Sequence, residues 1–238
     1  MDWIVLFALA LGPCAAVMVY IYLRDKHELE PVWLVAFTFL LGCLTVVPPI
    51  FLQGFAYRYD IGTGPGFLQV ILHAFLIVAI TEEGAKFLLL RVFSYPRKDF
   101  NEPFDGIVYS VMISMGFAAV ENVWFVLAEP DFHKAASVGL LRIFTAVPAH
   151  ATFGIIMGYY MGMAKFCAQD KAIVMLKGFL LAVLFHGLYD FFLMQNIHFG
   201  VGIGALISLI VAVWLSRKSI RIHCDNSPFR EAVPPPQG

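Results

Sequence analysis

Glu82, Glu83 and Lys86, then Glu121 and Asn122, then His150, then His186 and Asp190 stand inside four consecutive stretches of otherwise apolar sequence. A charged side chain at mid-bilayer costs about 2.5–3.5 kcal/mol on insertion scales, so such a set demands an explanation. With every carboxylate ionised and both histidines neutral, it would hold four negative charges (Glu82, Glu83, Glu121, Asp190) against the one ammonium of Lys86. Burying that set calls for water, shared protons or a cation. Its chemistry is water activation: a Glu beside a second Glu in a dry cavity serves as general base or acid, and a His donates to a developing oxyanion. Glu and His are equally ligands for zinc, whose bound water would be the nucleophile. No His-Glu-x-x-His run is present, and neither is Gly-x-Ser-x-Gly, while Ser110 and Ser114 lack an adjacent His.

These residues are carried by a very apolar chain. Of 238 residues, 60% are hydrophobic and 14% charged, with a mean hydropathy of +0.79, against roughly 25% charged in soluble domains. This excludes an ordinary soluble enzyme and points to an all-α polytopic membrane helix bundle. Seven stretches come close to the roughly 20 residues that cross a bilayer: about 3–23, 31–52, 67–90, 104–127, 138–164, 173–194 and 199–215. The first opens on Met1-Asp2 without a basic region and is read as a transmembrane helix rather than a signal peptide. Short connections make residues 1–215 one domain with a catalytic core at about 67–194, and residues 216–238 a polar tail expected to be disordered. Cys14, Cys43, Cys167 and Cys224 share no obvious oxidising compartment and are read as free thiols.

Charge on alternate loops predicts sidedness. Arg24, Lys26, Arg91, Arg97, Lys98, Lys165, Lys171, Lys177, Arg217, Lys218, Arg221 and Arg230 fall on one side, Arg58, Lys134 and Arg142 on the other. By the positive-inside rule the N-terminus is outside and the tail cytoplasmic. The net charge of −1 is itself uninformative, because charges confined to loops report topology rather than attraction to nucleic acid, and no nucleic-acid partner is expected.

Helix geometry predicts convergence. Lys86 follows Glu82 by four residues and Glu83 by three, so one ammonium reaches either carboxylate; His186 and Asp190 are also one turn apart. Small residues recur at steps of four in Gly178-Ala182, in Gly154-Gly158-Gly162, and in Gly106-Ser110-Ser114-Ala118, a pattern that allows helices to approach closely in lipid. Depth along the helices suggests a water-accessible pocket toward the outer leaflet, with the Glu pair as its floor. Bland readings stand beside this one: a structural Lys86–Glu82 ion pair, His73 as a packing residue, and Asp105 as a cap at the start of its helix. The same buried groups also suit the proton relay of a transporter or channel, although no repeat supports that, or a catalytically silent scaffold.

The ordered runs Glu82-Glu83-Gly84-Ala85-Lys86, Phe117-Ala118-Ala119-Val120-Glu121-Asn122, His150-Ala151-Thr152-Phe153-Gly154 and His186-Gly187-Leu188-Tyr189-Asp190 resemble the PrsW family of intramembrane proteases. The resemblance implies a multi-pass protease of a bacterial cell membrane, related to type II CAAX prenyl endopeptidases. Its substrate would be a membrane-anchored, anti-sigma factor-like protein cut near the extracytoplasmic side, with the lipid bilayer as its other partner. It further implies that Glu82 or Glu83 activates water and Lys86 orients the pair. His150, His186 and Asp190 would polarise the scissile carbonyl or bind a metal, with Glu83, Glu121, His150, His186 and Asp190 as candidate ligands for zinc.

Overall fold

The computed structural model describes residues 2–25, 27–64, 66–166, 169–194 and 198–229, with side chains outside 198–203. Ten α-helices form in chain order: α1 Asp2–Arg24, α2 Val32–Leu44, α3 Val47–Arg58, α4 Phe67–Ile71, α5 Ile80–Leu89, α6 Pro103–Ala128, α7 Phe132–Phe144, α8 Ala146–Phe166, α9 Lys171–Met194 and α10 His198–Asp225. No strand occurs among the described residues. They combine into six stretches long and apolar enough to cross a membrane: Asp2–Arg24, Val32–Arg58, Phe67–Ser94, Pro103–Ala128, Phe132–Phe166 and Lys171–Met194. The protein is therefore a polytopic helical bundle. The seventh expected span, 199–215, lies within α10, and the side chains of its first residues lie outside the described set.

α6 is the central rod: its side chains from Pro103 to Ala119 are buried almost without interruption. α2, α1 and α8 pack around it, and large apolar residues such as Trp3, Phe51 and Phe144 face outward, as lipid requires. The small-residue rows do what their spacing predicts. A methyl added at Gly158 would run into the Gly106 carbonyl and Ile107 Cα, and one at Gly154 into Ser114 Oγ at 2.6 Å, so α6 and α8 touch backbone to backbone. Gly42 gives α2 the same closeness to α6, where an added methyl would lie 2.5 Å from the Ile113 carbonyl.

Three expected boundaries move. The second span breaks at Thr45-Val46 because Pro48 and Pro49, at the start of α3, cannot donate to the preceding turn; Thr45 Oγ1 donates to the Gly42 carbonyl at 2.6 Å instead. The fifth span turns a corner at Thr145 (φ −122°, ψ −73°), just ahead of Pro148, which divides α7 from α8. Residues 216–225, expected in a disordered tail, continue α10, since no Gly or Pro interrupts the chain there before Pro228. Near that end the His223 ring stacks on Tyr159 at 4.3 Å, and its Nε2 meets the Tyr159 carbonyl at 2.9 Å. Cys14 and Cys43 are free thiols, Cys224 Sγ donates to the Arg24 carbonyl at 3.5 Å, and Cys167 lies outside the described residues.

Candidate active site

The Glu pair begins α5, directly after a π-helical stretch, Leu72–Ala79. Such a widened turn changes which face the following residues present, and π-helical turns are frequent at functional sites. Within α5 the turn of about 100° between neighbouring residues then places the adjacent carboxylates in two environments. Glu83 is fully buried (0% exposed) and faces the interior: its Oε1 accepts from Lys86 Nζ at 2.7 Å and lies 2.8 Å from His186 Nδ1. Glu82 turns toward a cavity, where Gln53 Nε2 donates to its Oε1 at 3.3 Å while its Oε2 has no hydrogen-bond partner.

Lys86 is held from three sides. Besides Glu83 it lies 3.9 Å from Glu82 Oε2, 3.2 Å from His150 Nδ1 and 4.0 Å above the centre of the Phe117 ring. The i,i+3 and i,i+4 geometry read from the sequence is thus present, with Glu83 as the closer partner. His186 bridges the two carboxylates and α9: Nδ1 faces Glu83, while Nε2 lies 3.3 Å from Asp190 Oδ2 and 3.9 Å from Glu82 Oε2. Phe153 stacks against this ring at 5.0 Å, fixing its plane. Both ring nitrogens therefore meet acceptors, and the ring can donate from either side.

A second arm runs from α8 to α6 and α7. His150 Nε2 lies 2.9 Å from Glu121 Oε2, and Arg142 donates to the same oxygen at 2.5 Å and to Asn122 Oδ1 at 2.6 Å. Asn122 in turn donates to the Ala10 carbonyl at 3.0 Å, tying the arm to α1. The structure thus brings Glu82, Glu83, Lys86, Glu121, His150, His186 and Asp190 into one network. It also adds two residues that sequence reasoning left out. Arg142, counted there with the loops on the expected outer side, points inward because of the corner at Thr145, and the only advance sign was Pro148. Gln53 reaches Glu82 because the break at Thr45-Val46 redirects α3.

The cavity measures about 540 Å³. Glu82, Glu121, Arg142, His150, His186 and Asp190 line it together with apolar and aromatic groups, among them Pro49, Phe117, Phe153 and Tyr189. Glu83 and Lys86 are absent from its wall, so the expected floor of two glutamates is a floor of one. His73, read as a packing residue, also borders the cavity, and its Nε2 lies 3.1 Å from Tyr57 Oη. The lining comes from α3, the C-terminal halves of α6 and α9 and the N-terminal half of α8, with single residues of α5 and α7, which puts the cavity at the bundle end opposite the 25–31 and 95–102 connections.

A metal fits the wall of this cavity. Glu82, Glu121 and His150 each offer one ligand atom, all within 4.8 Å of one another, and the unpartnered Glu82 Oε2 supplies the free oxygen such a site needs. Two carboxylates and one imidazole are a donor set appropriate to catalytic zinc. Glu83, considered a ligand from sequence, is instead committed to Lys86 and His186.

Known proteins resemble the chain over most of its length. A profile described as PrsW family intramembrane metalloprotease matches residues 30–216. The chain is similar to Protease PrsW of Geobacillus kaustophilus (strain HTA426), 33% identical over 230 residues, or 97% of this chain and 96% of that protein. It is 37% identical to Protease PrsW of Shouchella clausii (strain KSM-K16) over 206 residues, 87% of this chain and 90% of that one. Protease PrsW of Bacillus subtilis (strain 168) is 37% identical over 185 residues, 77% and 80% of the two chains. No solved structure matches the chain significantly. The chain belongs to the PrsW family of intramembrane proteases, and it is a peptidase and a multi-pass protein of the cell membrane.

Proposed function

We propose that this peptidase hydrolyses its substrate in the cavity, with Glu82 as the carboxylate that takes up the proton of the attacking water. The observation that carries this reading is the split between neighbours: each has an unpartnered Oε2, but Glu82 lines the cavity while Glu83 is sealed behind it. A general base must reach the water it deprotonates, which only the first of the two can do. Glu83 acts as a positioning residue, locking Lys86 and the His186 ring. His186, held between Glu83 and Asp190, donates a hydrogen bond to the carbonyl oxygen as it becomes an oxyanion, and the proton taken up by Glu82 passes to the departing amine. Arg142 and His150 fix Glu121 on the opposite wall. Were zinc bound by Glu82, Glu121 and His150, the ion would supply the acidified water and polarise the carbonyl, and Glu82 would then serve as its ligand in place of the base.

The substrate class implied by the resemblance is a membrane-anchored, anti-sigma factor-like protein. A cavity of this volume between helices takes an extended peptide segment rather than a helix, so the substrate would unwind before cleavage. The bias of basic residues favours an extracytoplasmic cavity and a cytoplasmic end for α10. The test is cleavage of a single-span reporter by the purified protein in proteoliposomes. Glu82→Gln and His186→Ala are expected to lose cleavage while remaining folded; unchanged cleavage in both would remove the assigned site. Chelation followed by zinc add-back addresses the ion: loss and recovery support zinc, and full activity in chelator shows that the side chains suffice.

A further inference from the structure

The end of the bundle away from the cavity holds a second cluster of ionisable groups. Asp25 follows the last turn of α1, Glu30 precedes α2, and Glu102 and Asp105 open α6. All four are buried, with Asp25 only 2% exposed. Several of their oxygens have partners: Asp105 Oδ2 accepts from the amides of Asn101 and Glu102 at 2.7 and 2.8 Å, as expected of a cap, Glu30 Oε2 accepts from the Tyr109 hydroxyl, and Glu102 Oε2 accepts from the Ser227 hydroxyl. Asp25 is the exception, because neither of its carboxylate oxygens has any hydrogen-bond partner. Asn101 Oδ1, next to Glu102 in the chain, is also buried and unpartnered.

No Lys or Arg among the described residues makes a salt bridge to any of the four; the nearby Lys165 Nζ is spent on the carbonyls of Tyr95 and Arg97 at 2.8 and 2.9 Å. One oxygen each from Asp25, Glu102 and Asp105 lies within 4.8 Å of the other two. Carboxylates packed this closely without a cation repel one another strongly. A cluster built only of hard oxygen donors, free of His and Cys, suits Mg²⁺ or Ca²⁺ rather than zinc.

We propose that Asp25, Glu102 and Asp105 form a structural site for an oxygen-seeking divalent cation, Mg²⁺ or Ca²⁺, separate from the catalytic cavity. The ion ties the α1–α2 connection to the start of α6, and through Ser227, which holds Glu102, to the end of α10. Its function is to lock the end of the bundle from which the helices are held in register. It does not depend on the proteolytic reading.

The experiment is thermal denaturation of the purified full chain in detergent, stripped with chelator and then titrated separately with Mg²⁺, Ca²⁺ and Zn²⁺. Mg²⁺ or Ca²⁺ is expected to raise Tm saturably by about 5 °C or more, and Asp25→Asn is expected to lose that rise. The relative size of the two shifts identifies the preferred ion, and any Zn²⁺ response that persists in Asp25→Asn reports on the cavity. No N–H or O–H donates to the Asp25 carboxylate, so the isosteric amide breaks no hydrogen bond from a donor, and its closest carboxyl neighbour is Glu102. If that variant nevertheless fails to fold, Tb³⁺ luminescence on the wild type decides: a tyrosine-sensitised signal displaced by Ca²⁺ and dimmed in Tyr109→Phe supports the site. An unchanged Tm at about 10 mM of either ion, an equal shift in Asp25→Asn, or Tb³⁺ emission that neither Ca²⁺ nor Tyr109→Phe alters would overturn it.

Discussion

The two ends of this bundle treat buried carboxylates in opposite ways. At the cavity, Glu82, Glu83, Glu121 and Asp190 are interleaved with Lys86, Arg142, His150 and His186, so each carboxylate has an ammonium, guanidinium or imidazole nitrogen within 3.9 Å. At the far end, Asp25, Glu30, Glu102 and Asp105 have only amides and hydroxyls among their described partners. Burial, reinforced by Glu102, pushes the Asp25 carboxyl up to about 8, and burial brings Glu30 to about 7, the mark of acids that hold protons unless a cation replaces them. A balanced network keeps its charges through a reaction and can place one oxygen at a substrate. An unbalanced one is a receptor for positive charge. The same residue types therefore do different work according to the cations folded in beside them.

The largest break in this comparison comes from removing the cation at its centre. Lys86→Met leaves the buried Glu83 with His186 as its remaining partner and no ammonium, which is expected to cost about 3 kcal/mol and to appear as a lowered Tm in detergent together with loss of cleavage; a stable, active variant would show that the balance is dispensable. Next is Arg142→Ala, at a site where the Glu121 side chain is still 23% exposed. Water can take over part of the lost contact, so about 1–2 kcal/mol of stability should go, with a measurable fall in reporter cleavage.

A third prediction concerns the α10 end that borders the acidic cluster. Burial holds the His223 imidazole down, at about 4, so folding favours its neutral form. Its contribution is complete above the ordinary value near 6.5 and is lost as pH falls toward 4. Thermal midpoints at pH 7 and pH 5 should differ by roughly 1–2 kcal/mol more in the wild type than in His223→Phe; identical pH dependence would break this link. The smallest effect is expected at Asp25. With chelator present, Asp25→Asn should be about as stable as the wild type, since a neutral amide replaces a carboxyl that holds its proton when no cation is bound. A clear loss in chelator would place the aspartate among the balanced charges.

Much of the cavity was legible in the chain. Glu82, Glu83 and Lys86 lie at helical spacings, His186 and Asp190 one turn apart, and Gly106, Gly154 and Gly158 mark the seam that brings α6 against α8. What was illegible depended on where helices bend. Arg142 looks like a loop charge until Thr145 turns the chain, and Gln53 looks unremarkable until Pro48 and Pro49 break the second span. The roles of Glu82 and Glu83 cannot be separated by spacing, because adjacent residues on a helix differ only by rotation, and the π-helical stretch before them sets that rotation. The acidic cluster was hidden for another reason: Asp25, Glu30 and Glu102 resemble ordinary loop carboxylates, and only packing of segments remote in sequence buries them together.

The central claim is the division of labour between two adjacent glutamates, and the direct test is to compare kcat and Tm for Glu82→Gln and Glu83→Gln on the same single-span reporter. Glu82→Gln is expected to lower kcat by about 10²–10⁴-fold with Tm close to that of the wild type, whereas Glu83→Gln should lower Tm as well, because Lys86 and His186 lose their shared anchor. Full cleavage by Glu82→Gln, or a kcat loss confined to a thermally normal Glu83→Gln, would contradict the assignment.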